Sequence, residues 1–166
     1  MSIQAVVHRI ELPSVTTYEP DVYINLRWKN MPELVGAGEE EPGMTTTQIQ
    51  TQFDVMCGSS YVGDSDDRLI VVDQEVVGGV GFSGFAKGFA GRHAAMYYWL
   101  DKEAQGQGFA TAAARELTKW GFASGGINLV EIAVKHRNKP SQRVVKRLGA
   151  KVLTVDFEKH VWGLTS

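Results

Sequence analysis

Gln105-Gly106-Gln107-Gly108-Phe109-Ala110-Thr111 lies between two segments of different periodicity, and the fold turns on how it is read. Upstream, residues 94–100 (Ala-Ala-Met-Tyr-Tyr-Trp-Leu) are aromatic and apolar and contain neither Gly nor Pro, which predicts a buried strand. Downstream, residues 112–124 place Ala113, Leu117, Trp120 and Phe122 at helical spacing, with Arg115, Glu116 and Lys119 between them. Gly125-Gly126 supplies the stop. Two glycines in a strand-to-helix turn let the backbone approach a ligand and aim several N–H groups the same way. The helix N-terminus adds partial positive charge, so the turn suits a pyrophosphate. A tight connection without a ligand is the plainer alternative.

Known nucleotide motifs narrow the choice. A P-loop needs Gly-Lys-Ser/Thr, and no Lys stands in that place. A dinucleotide fingerprint needs a third glycine, which is missing, although Glu131 falls near the distance of its acidic residue. Residues 105–110 fit Gln/Arg-x-x-Gly-x-Gly/Ala instead, and so resemble the acetyl-coenzyme A signature of the GNAT acetyltransferases. A strand-like run at 129–134 precedes His136-Arg137-Asn138-Lys139-Pro140-Ser141 and then Val144-Val145-Lys146-Arg147-Leu148-Gly149-Ala150. This resembles the GNAT segment Asn-x-x-Ser-x-x-Val/Leu-x-x-x-x-Gly-Phe, with Ala150 in place of the aromatic residue. Tyr98-Trp99-Leu100-Asp101 and Trp28-Lys29-Asn30-Met31-Pro32-Glu33-Leu34 resemble the branch that holds ribosomal-protein N-terminal, polyamine and some aminoglycoside acetyltransferases. The main resemblance covers residues 94–150, and a fainter one reaches back to about residue 26.

Composition agrees with a soluble globular protein. The 166 residues are 43% hydrophobic and 22% charged, which predicts one domain over residues 1–166. A chain of this size buries roughly 70% of the surface its unfolded form exposes. No apolar run approaches the ~20 residues of a membrane span, and the N-terminus lacks a signal-peptide core, so no membrane partner is expected. The single Cys57 excludes an internal disulfide and suits a reducing cytoplasm. A net charge of −2 leaves no basic footprint for nucleic acid. A monomer or homodimer is expected.

Along the chain, residues 6–12 read as a strand ending at Pro13. Residues 20–28 alternate like a strand at Val22, Ile24, Leu26 and Trp28, yet open on Pro20-Asp21 like a helix. The residues leave both readings open, and the resemblance favours helix. Residues 36–43 (Gly-Ala-Gly-Glu-Glu-Glu-Pro-Gly) predict a loop, and Thr45 or Thr46 a helix cap, with Cys57-Gly58 ending that helix after Met56. Residues 68–73 and 75–82 predict a hairpin about Asp73-Gln74, residues 84–93 a loop, and residues 152–157 and 160–164 a closing pair. The order β, α, α, β, β, β, α, β, α, β, β implies an α/β (α+β mixed) GNAT fold, a central mixed twisted sheet of about seven strands with helices on both faces.

The resemblance implies an enzyme that transfers an acetyl group from acetyl-coenzyme A to a primary amine, with no metal. The cofactor must be held, the amine deprotonated, the oxyanion stabilised and the leaving thiolate protonated. Gln105, Gly106, Gln107, Gly108, Phe109, Ala110 and Thr111 are the expected pyrophosphate cradle, and Asn138 the pantetheine anchor, a turn residue before Pro140 being the alternative. By family position the oxyanion N–H falls at Trp99 or Leu100. Ser141, beside the expected sulfur, is the candidate acid and equally a candidate helix N-cap. Residues 135–150 contain no Tyr, so Tyr97 or Tyr98 would serve only from a side chain facing the cleft.

Many members of the branch carry a Glu on the cradle strand, where this chain has Ala95. Glu131, alone among apolar residues of the next strand, is the substitute base if burial raises its pKa, and a buried ion pair is the alternative. His136, His160 and an ordered water stay open. Glu39-Glu40-Glu41 either attract a cationic amine or form solvated surface. The expected acceptor is a peptide or protein N-terminal α-amine, attacked directly in a ternary complex. Cys57 lies far from both motifs in sequence, which disfavours an acetyl-enzyme. A polyamine or aminoglycoside acetyltransferase, and a non-catalytic acyl-coenzyme A-binding sensor, are the alternatives.

Overall fold

The structure, a computed structural model, describes residues 8–31, 44–62, 65–88 and 91–166. In chain order these form β1 (Ile10–Glu11), α1 (Pro20–Lys29), α2 (Thr46–Val62), β2 (Asp66–Val72), β3 (Glu75–Gly88) and β4 (Gly91–Leu100). They continue with α3 (Phe109–Ala123), β5 (Ile127–Lys135), α4 (Lys139–Leu148), β6 (Lys151–Val155) and β7 (Lys159–Thr165). The seven strands make one sheet in the order β1-β2-β3-β4-β5-β7-β6. Only β4 and β5 run parallel; every other neighbouring pair is antiparallel. The mixed sheet and the element order are those the sequence predicts.

Alternation along β4 divides the core. Ala94, Met96 and Leu100 pack with Val130, Ile132 and Val134 of β5 beneath α3, where Ala113, Ala114 and Leu117 are buried, and beneath Val145 of α4. Trp99 turns to the other face and joins Leu69 and Val71 of β2 under Tyr23 of α1 and Ile49 and Phe53 of α2. Strand β3 matches this division. Its Val80 and Phe82 are fully buried on the first face, whereas Gly79 and Gly81 lie under aromatic rings on the second. A Cβ on Gly79 would stand 2.6 Å from Trp99 Nε1, so that ring lies across bare backbone.

Local chemistry explains where elements begin. Pro20 in the first turn and Asp21 behind it start α1 as a helix, so the strand-like alternation of residues 22–28 is incidental. Thr45 and Gln48 form a capping box at α2: Gln48 N–H donates to Thr45 Oγ1 (3.3 Å) and Thr45 N–H donates to Gln48 Oε1 (2.7 Å). Asp73 and Gln74, at φ +50 and +77, make the two-residue turn between β2 and β3.

Three boundaries differ from expectation. Helix α2 passes through Cys57-Gly58, because an interior glycine costs only about 1 kcal/mol and does not stop a helix that is packed. Residues 84–88 and 91–93 are strand where a loop was expected: β3 runs to Gly88 and β4 starts at Gly91, with a register shift between Ser83 and Ala86, and Gly84 takes φ +60 there. Strand β1 is described only as Ile10–Glu11; residues 1–7, the acidic Glu39-Glu40-Glu41 segment and the Cys57 side chain lie outside what is described. Among the described residues, no helix is long and apolar enough to cross a membrane.

Asn30, 1% exposed, closes α1 and ties it to the turn after β4. Its Nδ2 donates to Leu26 O (2.8 Å) and its Oδ1 accepts from Lys102 N–H (2.8 Å). Beside it, Lys29 Nζ reaches Asp101 Oδ2 at 2.9 Å. Burial alone would push the Asp101 carboxyl up, but the hydrogen bonds from Lys29 and the Glu103 N–H outweigh it and hold it below the usual carboxylate range. This tie is therefore intact at neutral pH and is lost as pH falls through that lowered value. Asn30→Ala removes two side-chain hydrogen bonds, the one to Leu26 O and the one from Lys102 N–H, and is expected to destabilise the fold by about 1–3 kcal/mol. Urea unfolding of the two proteins side by side measures it.

Candidate active site

The β4–β5 ladder runs only from Arg92↔Ile127 to Ala95↔Glu131. Beyond that rung β4 stays with β3 and β5 stays with β7, so the sheet opens between them. Asp101 N–H donates back to Val77 O of β3 (2.7 Å), and alternation then turns the Leu100 N–H and C=O towards the gap. Gln105 Nε2 meets that carbonyl at 3.3 Å. Of the two residues expected to supply the oxyanion N–H, Leu100 has it on the open side. The Trp99 N–H faces β3, and the Trp99 ring is core on the opposite face.

A cleft of about 390 Å³ fills the opening. One wall is the turn before α3, where Gly106 and Gly108 take φ +78 and +90. Gly108 is the N-cap of α3, no side chain caps the helix, and the first turn carries no acidic residue. The first helical hydrogen bond is Ala112 N–H to Gly108 O (3.0 Å), which leaves the N–H groups of Phe109, Ala110 and Thr111 without helix partners. A Cβ on either glycine would meet nothing within 4 Å, so the space beside the turn is open. Thr111 Oγ1 is buried with no hydrogen-bond partner among the described residues. Uncapped donors and an orphaned hydroxyl beside a glycine turn suit a pyrophosphate.

The residues of this turn take different parts. Gly106, Gly108, Ala110, Thr111 and Gln105 line the cleft. The Gln107 side chain instead braces the turn by donating to Glu103 O (3.2 Å), and the Phe109 ring is buried in the core. Neither side chain lines the cleft, so only the backbone N–H groups of these two residues can serve the cradle. Sequence reasoning missed Arg137, Arg143 and Arg147, which line the same cleft. The signal was present, since Arg143 and Arg147 are four apart on α4 and share one helix face.

Across the gap, Asn138 is the N-cap of α4: its Oδ1 accepts from Ser141 N–H (3.1 Å). This corrects the reading of Ser141 as a cap, because Pro140 and Lys139 already lie inside the helix and Ser141 is its third residue. Ser141 is thus free of capping duty, and its Oγ shares a 2.7 Å hydrogen bond with the Tyr98 hydroxyl, which also reaches Ser141 O at 3.3 Å. Of the two candidate tyrosines, Tyr98 faces the cleft and Tyr97 does not.

Glu131 is half-buried rather than enclosed, and no ion pair holds it among the described residues. It stands opposite Ala95 on the last rung of the ladder. The carboxylate is therefore one strand over from the position where the family resemblance puts a Glu. His136 bonds to Asp156 O through Nε2 (2.8 Å) and meets His160 edge-on at 4.4 Å; neither ring lines the cleft. Among the described residues no cluster of His, Cys, Asp and Glu could hold a metal.

Comparison with known proteins agrees with this geometry. Residues 9–151 match the family model described as Acetyltransferase (GNAT) domain. The chain is 26% identical over 155 residues to "Uncharacterized N-acetyltransferase p20" of Bacillus licheniformis, covering 91% of this chain and 85% of that one. The fold is similar to that of the Salmonella typhimurium acetyltransferase that "modifies N-terminal serine of 50S ribosomal subunit protein L7/L12", with TM-score 0.81 at 20% identity over 95% of both chains. It is equally similar to Mycobacterium smegmatis RimJ in complex with CoA-disulfide, with TM-score 0.81 at 20% identity, covering 95% of this chain and 82% of that one. The chain belongs to the GNAT acetyltransferase family. It is an acetyl-coenzyme A-dependent N-acetyltransferase, and acetyl-coenzyme A is its acyl donor.

Gly108→Asp puts a side chain and a negative charge beside the open donors. Coenzyme A binding by calorimetry is expected to weaken at least ~10-fold, about 1.4 kcal/mol. Gly108→Ala carries the strain of φ +90 without the charge and should lose less. Equal losses in the two variants would assign the effect to backbone strain instead of phosphate repulsion.

Proposed function

We propose that the chain acetylates a peptide or protein N-terminal α-amine, which attacks directly within a ternary complex. The observation that carries the chemistry is the Tyr98–Ser141 hydroxyl pair, joined at 2.7 Å across the open end of the ladder. Bound acetyl-coenzyme A supplies an acetyl thioester there. Thr111, Asn138 and the N–H groups after Gly108 hold and orient the donor, with Arg137, Arg143 and Arg147 offering cations to its phosphates. The Leu100 N–H is available to the developing oxyanion.

Each hydroxyl of the Tyr98–Ser141 pair can pass a proton to the other, so the pair can protonate the leaving thiolate and be reset from solvent. Glu131, on the last rung, is the candidate to take the proton of the acceptor amine. A protein α-amine is supported by the fold likeness to the Salmonella enzyme, whose own acceptor is an N-terminal serine.

Incubation with acetyl-coenzyme A and unblocked peptides, read by release of free thiol, is expected to show turnover absent with N-blocked peptides. No turnover on any amine, in protein that binds coenzyme A, would leave the sensor reading in its place. Tyr98→Phe and Ser141→Ala should each lower kcat about 10²-fold while leaving the acetyl-coenzyme A KM within about threefold. A nearly intact kcat in both would remove the hydroxyl pair from catalysis.

A further inference from the structure

The net charge of −2 conceals a segregation. Residues 135–151 hold seven of the 17 Lys and Arg and none of the 19 Asp and Glu, so the rest of the chain carries ten cations against 19 carboxylates. Helix α4 is the centre of the cationic stretch: Lys139, Arg143, Lys146 and Arg147 stand on it with no acidic residue among them. Arg137 precedes the helix and Lys151 opens β6 just after it. Arg115 of α3 adds a cation from a second element and donates to Arg147 O (3.0 Å). All of these side chains are exposed, and none has an ion pair among the described residues.

Helix stability does not account for the pattern. Lys146 and Arg147 in the last turn complement the helix dipole, but Lys139, the first residue of α4, stands against it. Arg143 follows Lys139 by four residues and Arg147 follows Arg143 by four, and like charges at that spacing destabilise a helix. The cleft does not use them all either. Arg137, Arg143 and Arg147 line it, whereas Lys139, Lys146 and Lys151 do not. The division follows side-chain type: arginines inside the cleft, lysines outside it. Helix α4 is 10 residues and so about 15 Å long, which leaves the outer lysines one or two screening lengths of ~8 Å from the cleft mouth.

The donor is an anion that responds to such a field. Acetyl-coenzyme A carries a pyrophosphate and a phosphate monoester, and the monoester alone bears about −1.5 to −2 at neutral pH. The excess of carboxylates over the rest of the chain repels it, while one sign of charge around a cleft focuses the field there and raises the rate of arrival. We infer that Lys139, Lys146 and Lys151 form a capture surface, which speeds the arrival of acetyl-coenzyme A at the cleft and makes no contact with it once bound. Arg143 and Arg147 belong to both the charged strip and the cleft, so a captured donor passes from long-range attraction to direct contact along one helix face. Lysine suits the first task as a hydrated point charge on a flexible stem. Arginine suits the second, because its planar fork matches phosphate oxygens.

Rapid mixing of the full chain with fluorescent etheno-coenzyme A separates association from dissociation. In the triple variant Lys139→Gln, Lys146→Gln, Lys151→Gln, association should slow at least about fivefold at ~10 mM ionic strength, where the screening length is ~30 Å. Dissociation should stay within about twofold of wild type, because the lysines act before contact and not after it. At ~1 M ionic strength, where the screening length is ~3 Å, the association rates of the two proteins should converge. Replacing the same three residues by Glu should slow association further, and replacing them by Arg should restore it, which separates charge from shape. Equal association rates for wild type and the Gln variant at low ionic strength would overturn the inference. So would a loss confined to dissociation, which would make the lysines contacts of the bound donor, and so would slowed association that persists at ~1 M.

Discussion

Between Ala95 and Glu131 the parallel ladder of β4 and β5 makes its last rung, and both strands then continue with other partners. Unpaired N–H and C=O groups along such an opening cost about 1–3 kcal/mol each when buried without water. The chain limits that cost. Gln105 covers the Leu100 carbonyl, and the Tyr98 hydroxyl spans the gap to Ser141 at the start of α4. What stays open is a slot with backbone donors on one side and hydroxyls on the other. The cradle glycines, the Asn138 cap and the arginines of α4 are all set around that slot, so the opening organises the site and the ligand completes it.

The two faces of the sheet are tied together by hydrogen bonds. Asn30 closes α1, which packs on the Trp99 face, and holds the Lys102 N–H of the turn that leads into the cradle. Lys29 to Asp101 repeats the link one residue away. Strand β4 joins them again, since Tyr97 and Tyr98 are consecutive residues with opposite destinations. The end of α1 and the turn that leads to Gly106 and Gly108 are thus fixed to each other.

Legibility in the sequence followed the range of the interaction. The glycine turn between β4 and α3 was readable because it works within a few residues: two glycines at positive φ followed by uncapped N–H groups. The order of strands and helices along the chain was readable from alternation, turn chemistry and the family resemblance. The Asp67–Gly81–Tyr97 row, in which the Tyr97 hydroxyl donates to Asp67, was not, because no local pattern reveals that three residues from separate strands will stand side by side. Ser141 looked like a cap because Ser favours that position, yet Pro140 sits in the first turn and leaves the cap to Asn138. The strand pairing of residues 84–88 with 91–93 was hidden by its glycines, which signal a loop by composition but sit in a bulged ladder.

Register in β3 and β4 is under an unusually tight constraint. The stretch Gly79-Val80-Gly81-Phe82 alternates bare and bulky positions. Val80 and Phe82 fill the core beneath α3, while the glycines leave the other face clear for Trp99 and Tyr97. A slip of one residue would push the large side chains under those rings and exchange faces along the strand. Tyr98 would then leave Ser141, and Tyr97 would leave Asp67. Packing and chemistry thus select the same register: the pattern that excludes a misaligned core is the one that puts each tyrosine on the face where its hydroxyl has a partner.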